Sequence, residues 1–313
     1  MAKQSASKLS IRKQSENEQL VRKQPENGSL ATTDMRTRAK LPISEVSTKS
    51  LSPKLIKVKN TRRGYNRKYR QINIKRKFTC LGTNSGGLNT KKESLFSLVN
   101  QFSPSIITIQ ETKFNFYGTI KIPGYEIFEN LRKEKQGGGL LTAVDLDLNP
   151  VLITSNEDVD LLVIQFEIEN NKIRSINGYG PQEDDEDFKI NLFWQSIETE
   201  IICAKEENCL VIIQLDANAK VGNGVIENDP HPISKNGKIM LEMVKRQGFV
   251  IANGTTKCRG KITRERVMNE KTERSIIDYY ILCERMAGFL EDMHIDDERE
   301  FVLKHNVKKR KTT

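Results

Sequence analysis

The sequence predicts a layered α/β or α+β protein behind a disordered N-terminal arm. From residue 78 onward, short apolar runs alternate with turn residues, which is the pattern of buried strands. The predicted strands outnumber the helices, and hairpins are mixed with helical crossovers, so an α/β or α+β layered sandwich fits better than a simple parallel sheet. The first 77 residues have isolated apolar positions and abundant Lys, Arg, Ser, Gln and Asn, a composition that favours disorder.

The predicted elements follow one another along residues 78–313 as follows. Strands are expected at 78–81, 105–110, 140–144, 161–168, 172–179, 210–215, 249–252 and 275–282. Helices are expected at 91–102, 187–204 and 237–247, the last closed by Gly248. The strands at 161–168 and 172–179 are separated by only three residues, so they are predicted to form a hairpin.

Charge divides the chain at the same place. Residues 1–77 hold 21 basic and 5 acidic side chains, whereas residues 78–313 hold 30 basic and 36 acidic ones. The densest basic cluster, residues 54–77, also contains Tyr65 and Tyr69. We define residues 1–77 as the basic arm and residues 78–313 as the folded domain. The arm has three interpretations: a solvated tail, a segment that binds DNA through its phosphates, or a nuclear-import signal.

Several classes of protein are excluded by the composition. No apolar stretch reaches the roughly 20 residues needed to cross a bilayer, and the N-terminus has no apolar core of a secretory signal. The five cysteines are scattered and never form a Cys-x-x-Cys pair, which argues against a disulfide framework or a structural zinc site. The expected location is therefore the nucleus or cytoplasm, without secretion and without a membrane partner.

Three acidic residues stand at or within the apolar strands. Glu111 follows the strand at 105–110, Asp216 follows the strand at 210–215, and Asp278 lies inside the strand at 275–282. A carboxylate in such a place is costly unless it is paired or bound to a metal. Because little histidine or cysteine is nearby, the pattern predicts oxygen ligation of Mg²⁺ or Mn²⁺. The alternative is that each residue only ends its strand at the surface.

Amides and a phenol accompany these carboxylates. Asn84 follows the first strand and precedes the turn Ser85-Gly86-Gly87, and Asn218 lies two residues beyond Asp216. Tyr179 stands where a strand ends abruptly at Gly180-Pro181. Such groups around a metal suit an anionic phosphoester, because fixed dipoles and the cation would neutralise its charge.

Five motifs in this order resemble the endonuclease/exonuclease/phosphatase superfamily. They are Asn84-Ser85-Gly86-Gly87-Leu88, Ile109-Gln110-Glu111-Thr112-Lys113, Gly178-Tyr179-Gly180-Pro181, Leu215-Asp216-Ala217-Asn218 and Ser275-Ile276-Ile277-Asp278-Tyr279. Their spellings are most similar to the apurinic/apyrimidinic-endonuclease-like domain of LINE-type (non-LTR) retrotransposons. The resemblance covers about residues 78–303 and implies the superfamily's four-layer sandwich and a metal-dependent DNA endonuclease.

The resemblance also implies a role for each motif residue. Glu111 would be the metal ligand, and Asn84 would help to bind the metal or the phosphate. Tyr179 would donate a hydrogen bond to the scissile phosphate. Asp216 would orient or deprotonate the attacking water, while Asn218 would stabilise the transition state.

The sequence departs from the superfamily pattern in two ways. Gly86 stands where many repair-type members have an acidic residue, so fewer metal ligands are expected. Asp278 would orient a catalytic histidine in a terminal Ser-Asp-His motif, and the 313 residues contain no such motif. The expectation is therefore a C-terminally incomplete and catalytically impaired nuclease. A non-catalytic nucleic-acid-binding remnant, or a phosphomonoesterase or lipid phosphatase on the same fold, are the alternatives.

Overall fold

A computed structural model gives the fold for residues 2–4, 6–11, 77–114, 120–132, 137–268 and 270–297. These residues belong to a single compact unit. The remainder of the arm, residues 12–76, and the C-terminal segment 298–313 lie outside the described residues. Within the described ranges, none of the helices combines the length and the apolar character needed to cross a membrane.

The described residues contain sixteen strands and four α-helices. The strands are β1 Ala2–Gln4, β2 Ala6–Ile11, β3 Phe78–Asn84, β4 Ile106–Gln110, β5 Tyr125–Asn130, β6 Leu140–Asp145, β7 Val151–Asn156, β8 Leu161–Ile168, β9 Asn171–Tyr179, β10 Leu210–Asp216, β11 Phe249–Ile251, β12 Cys258–Arg259, β13 Arg264–Met268, β14 Lys271–Ser275, β15 Asp278–Cys283 and β16 Leu290–Ile295. The helices are α1 Lys92–Phe102, α2 Asp187–Glu206, α3 Lys235–Gln247 and α4 Glu284–Phe289.

Two large sheets and one small sheet organise these strands. The first large sheet has the order β12-β16-β2-β3-β4-β6-β5, and the second has the order β11-β15-β10-β9-β8-β7. Strands β1, β13 and β14 form the small sheet. Each large sheet has one central parallel pair, β3 with β4 in the first sheet and β9 with β10 in the second. Within each pair the carboxyl ends of the two strands therefore lie side by side at one edge of their sheet.

The layers are held together by three apolar clusters. Leu95 and Leu98 of α1 pack against Ile107 of the first sheet, and Trp194 of α2 packs on the second sheet with residues of α3. The cluster between the two sheets includes Ile106 and Ile212. Two sheets enclosed by helices form the four-layer sandwich, so the predicted fold class is confirmed.

One finding differs from the sequence prediction. Strands β1 and β2 lie in residues 2–11, which were predicted to be part of the disordered arm. Strand β2 pairs with β3 on one side and with β16 on the other, both antiparallel. Its sequence, Ala6-Ser7-Lys8-Leu9-Ser10-Ile11, ends in an alternation of apolar and polar residues that is compatible with a strand. This pairing satisfies backbone groups of β3 and β16 that would otherwise be left without partners inside the sheet.

Candidate active site

The predicted site residues meet at one end of the sandwich. Asn84 is the last residue of β3, and Glu111 directly follows β4, so the two are adjacent at the edge of the first sheet. On the second sheet Asp216, the last residue of β10, is the register partner of both Tyr179 on β9 and Asp278 on β15. The polar ends of both sheets therefore face a common region.

Glu111 is the carboxylate with the most donors around it. The Tyr179 hydroxyl donates to its Oε1 at 2.9 Å, and Lys113 Nζ lies 3.0 Å from its Oε2. Burial by itself would raise the pKa of Glu111, but the hydrogen bonds from Lys113 and Tyr179 and the nearby amide of Asn84 bring this pKa below its ordinary value. Glu111 is therefore an anion at neutral pH and can accept a cation.

Asp216 connects the two sheets. It is buried, and its Oδ2 accepts a hydrogen bond of 2.6 Å from Asn84 Nδ2. Its Oδ1 accepts from the backbone N–H of Asn218 at 3.3 Å, while the Asn218 side chain donates to the carbonyl of Gly180 at 2.8 Å. The backbone of Asn218 therefore contacts the Asp216 carboxylate, while its side chain bonds to the end of the neighbouring strand segment at Gly180.

Asp278 is in a different environment. The residue as a whole is half-buried, but its Oδ2 is shielded from solvent and has no hydrogen-bond partner among the described residues. Burial, followed by the charge of Asp216, raises the pKa of Asp278 well above its ordinary value. A carboxyl group in this state is protonated more readily than Glu111 and can either donate or accept a proton.

Tyr179 is held neutral by its surroundings. Burial, and then the negative charges of Asp216 and Glu111, raise its pKa above the ordinary value for a phenol. The guanidinium of Arg132 lies 5.8 Å from the centre of the Tyr179 ring. A neutral phenol keeps its proton and can donate it in a hydrogen bond to an anionic ligand.

The backbone of the site is conformationally restrained. Glu111 and Asn218 have positive φ values of 49° and 45°, which are unusual for residues other than glycine. The Glu111 carbonyl accepts hydrogen bonds from Gly87 N–H and from the Ser85 hydroxyl, each 2.8 Å long. At Gly180 a Cβ atom would lie 2.5 Å from the Ala217 carbonyl oxygen, so only glycine fits there. Strand β9 ends at Tyr179, directly before the point where the backbone of Gly180 packs against that of Ala217.

Sequence reasoning missed two residues that support the site. Arg132 forms an ion pair with Asp160, with 2.7 Å between its Nε and Oδ1, and this pair places the guanidinium beside Tyr179. Asn236, which is fully buried, donates to the carbonyls of Pro181 at 2.9 Å and Asn218 at 3.4 Å. Each lies in a run of polar and charged residues, Arg132 before Lys133-Glu134 and Asn236 after Ser234-Lys235, so no local pattern in the sequence distinguishes it from its neighbours.

The oxygen donors suit a hard cation but are few. No group of three or more His, Cys, Asp or Glu side chains is arranged to hold a metal within the ranges given above. Glu111 provides one carboxylate, and Asn84 provides an amide oxygen that already accepts from Gly86 N–H at 2.9 Å. Mg²⁺ is commonly held by one or two carboxylates, water and substrate phosphate, so these two donors fit that cation.

The fold matches that of known nucleases. Neither a protein-family model nor a curated protein sequence matches the chain. Among solved structures, the endonuclease domain of TRAS1, a telomere-specific non-LTR retrotransposon, is similar with a TM-score of 0.52 and 17% identity, covering 67% of this chain and 86% of that domain.

Two further structures show the same likeness. The AP endonuclease LMAP from Leishmania major has a TM-score of 0.52 and 14% identity, over 66% of this chain and 78% of its own. The Xenopus laevis APE2 catalytic domain has a TM-score of 0.52 and 16% identity, over 66% of this chain and 82% of its own. The chain therefore has the endonuclease/exonuclease/phosphatase fold, and the resemblance predicted from the motifs is confirmed for the fold.

Proposed function

We propose that this protein hydrolyses a phosphodiester bond of DNA in a reaction that requires Mg²⁺ or Mn²⁺. The observation that carries the proposal is the meeting of two hydrogen-bonded pairs, Glu111 with Tyr179 and Asn84 with Asp216, at the same end of the sandwich. An anionic carboxylate, a buried carboxylate, an amide and a neutral phenol together provide the groups needed to bind and attack a phosphodiester.

In the proposed reaction, a water oxygen attacks phosphorus and a P–O bond to one sugar oxygen breaks. Asp216 orients this water and accepts its proton, because its Oδ1 and Oδ2 are fixed by Asn218 and Asn84. Tyr179 donates to a phosphate oxygen, and Asn218 stabilises the negative charge of the transition state. The leaving oxygen takes up a proton and becomes a free hydroxyl group.

The metal would be bound by Glu111 and Asn84. When bound, a divalent cation supplies positive charge that neutralises the phosphate oxygens. The Glu111 carboxylate is ready to accept such a cation because its pKa is low, although Lys113 now lies against its Oε2. Asp278 would accept a hydrogen bond from a proton-handling group; the support is that its shielded Oδ2 has no partner among the described residues.

DNA would be attracted mainly by the basic arm. The folded domain has more acidic than basic residues and repels phosphate at long range, whereas residues 54–77 concentrate positive charge. The similarity to the TRAS1 domain and the motif spellings support an origin in a retrotransposon, where such a domain would nick target DNA. The histidine-bearing motif of that family is absent from these 313 residues, so we propose that nicking is impaired.

The direct test is nicking of supercoiled plasmid in Mg²⁺. We expect slow nicking by the protein and at least a hundredfold slower nicking by Glu111→Gln, which keeps the side-chain shape but removes the charge. The control is Glu126→Gln, an exposed position on β5. Glu126 pairs with Val144 at the far end of β6, whereas the site lies at the other end, where Leu140 of β6 pairs with Gln110. Nicking that is unaffected by Glu111→Gln would refute the assignment of this site.

The alternative functions give different results in the same experiment. DNA binding without nicking in either Mg²⁺ or Mn²⁺ would favour a non-catalytic nucleic-acid-binding remnant. Hydrolysis of p-nitrophenyl phosphate, or of a phosphoinositide, that exceeds plasmid nicking would favour a phosphomonoesterase or lipid phosphatase. Each of these outcomes would replace the endonuclease proposal while leaving the fold unchanged.

A further inference from the structure

Lys91 is a half-buried cation beside the proposed site. It directly precedes α1, and its ammonium group donates to the Ser85 carbonyl. Among the described residues, no carboxylate oxygen lies within ion-pairing distance of this group. Burial, followed by the charge of Lys113, lowers the pKa of Lys91, while the charge of Glu111 acts in the opposite direction. A cation that has lost part of its hydration without gaining an anion is a candidate for ligand binding.

The ammonium group is directed to the turn that follows Asn84. A Cβ atom built on Gly86 would lie 3.6 Å from Lys91 Nζ, and Gly86 has a φ of +53°. Gly86 N–H also donates to the Asn84 side chain, so Lys91 and Asn84 lie on the same tight turn. Because position 86 has no side chain, the space in front of the ammonium is not filled by a residue at that position.

A second cation lies near the next residue of this turn, Gly87. A Cβ atom on Gly87 would lie 3.7 Å from Lys113 Cδ, and Lys113 Nζ is paired with Glu111. Gly87 N–H donates to the Glu111 carbonyl, which fixes the turn against the carboxylate. Lys91 and Lys113 therefore both lie near the Gly86-Gly87 turn, and only Lys113 has a carboxylate partner.

We propose that Lys91 binds a phosphate of the substrate in this site and supplies fixed positive charge next to the Asn84–Gly86 turn. The proposal rests on the proposed function for the identity of the substrate, a phosphodiester. An ammonium group recognises phosphate as a point charge with three donors, and the bond is charge-assisted. Lys91 would thus supply positive charge to a phosphate beside Asn84, in addition to the charge of a cation held by Glu111.

The test separates phosphate binding from catalysis. Binding of inorganic phosphate to the full chain is measured by calorimetry in EDTA, so that no divalent metal contributes. Lys91→Met should weaken phosphate binding about tenfold to a hundredfold, as expected for the loss of one charged hydrogen-bonding group. Lys92→Met is the matched control, because the ammonium of the neighbouring Lys92 lies over the Phe114 ring, 5.3 Å from its centre. This control should bind phosphate within twofold of the parent protein.

Two additional variants protect the test against misfolding of Lys91→Met. Lys91→Arg keeps the charge and should retain most of the phosphate affinity. Gly86→Asp keeps Lys91 but places a carboxylate beside its ammonium, and it should also weaken phosphate binding. The fluorescence of Trp194, which is buried, reports whether each variant is folded.

Hydrolysis of thymidine 5′-(p-nitrophenyl phosphate), measured in Mg²⁺, completes the comparison. Lys91→Met should raise KM for this diester more than it lowers kcat. If Lys91→Met binds phosphate as the parent does, or if the parent binds none, the Lys91 proposal is wrong. If phosphate binding depends on Lys91 but the parent cleaves no diester or plasmid, the phosphate site stands and the proposed nuclease function is wrong.

Discussion

Replacing Asp278 by Asn should stabilise the protein, and the gain should grow as the pH rises. The Oδ2 atom of Asp278 is shielded from solvent without a hydrogen-bond partner among the described residues. Burial, then the charge of Asp216, raises the pKa of this carboxyl group in the folded state. Asn has nearly the same shape but never becomes charged, so the substitution removes the cost of ionisation in the folded state.

The direction of the pH dependence follows from the raised pKa. Below about pH 4 the carboxyl group is protonated in both the folded and the unfolded protein, so parent and variant should be similarly stable. At higher pH the unfolded state releases the proton while the folded state retains it, and the parent loses up to about 1.4 kcal/mol per pH unit. The loss ends when the pH exceeds the folded-state pKa.

The size of the gain is set by the proton, because Asn leaves an unpartnered polar atom in the same place and that cost is common to both proteins. Each pH unit by which the folded-state pKa exceeds the unfolded-state pKa adds about 1.4 kcal/mol to the gain. Since burial raises the pKa of Asp278 well above its ordinary value, we expect Asp278→Asn to raise the free energy of unfolding by at least about 1.4 kcal/mol at pH 8, and by little near pH 4.

Urea unfolding between pH 4 and pH 9, followed by the fluorescence of the single tryptophan, Trp194, measures this difference. EDTA is included so that bound metal does not alter the charge near Asp278. The control is Asp184→Asn, an exposed position, whose stability curve should run parallel to that of the parent. A curve for Asp278→Asn that is also parallel to the parent would refute the reasoning about its pKa.

Three further results are expected. Deleting residues 1–11 removes β2, the strand that pairs with both β3 and β16. The deletion should lower the free energy of unfolding by at least about 2 kcal/mol, measured in urea, and promote association, measured by light scattering. Deleting residues 15–75 should leave the free energy of unfolding unchanged, since Ile11 of β2 is already paired with Phe78 of β3. In filter-binding titrations the same deletion should weaken DNA binding and flatten its dependence on salt. Asn236→Ala should lower the free energy of unfolding, measured in urea, by about 1–3 kcal/mol and should slow plasmid nicking. Unchanged nicking would show that Asn236 does not position Asn218.

The strands with strong apolar runs were predictable, and so were the residues at their ends. The segment Leu210–Asp216 is buried throughout, and its run of Leu, Val and Ile contains no Gly or Pro that would interrupt a strand. The nearness of Asn84 to Glu111 and of Tyr179 to Asp216 could be anticipated, because parallel strands of one sheet bring their carboxyl ends to the same edge. The meeting of the two pairs depends on how the two sheets pack, which no local pattern in the sequence gives. The roles of Glu111 and Asp216 are predictions that the plasmid-nicking assay tests.

The strands that the sequence did not reveal have weaker patterns. The β13–β14 hairpin, Arg264–Met268 with Lys271–Ser275, is rich in charged residues, and its second strand is largely exposed. The edge strand Val151–Asn156 has exposed apolar residues and no regular alternation. Such strands form because a neighbouring strand offers backbone hydrogen bonds, and that neighbour is brought near only by the complete fold.

Within each sheet, backbone hydrogen bonds hold the strand ends that carry the site, while the side-chain bonds Asn84–Asp216 and Tyr179–Glu111 connect the two sheets. Gly180 N–H donates to the Asp216 carbonyl at 2.7 Å, and Ala217 N–H donates to the Ile277 carbonyl at 2.8 Å. These bonds join the ends of β9, β10 and β15 without using a carboxylate, just as the Gly87 bond joins the turns after β3 and β4. A substitution such as Glu111→Gln should therefore change the charge of the site while leaving its strand ends in place. Loss of nicking in that variant would then report on chemistry and not on a displaced backbone.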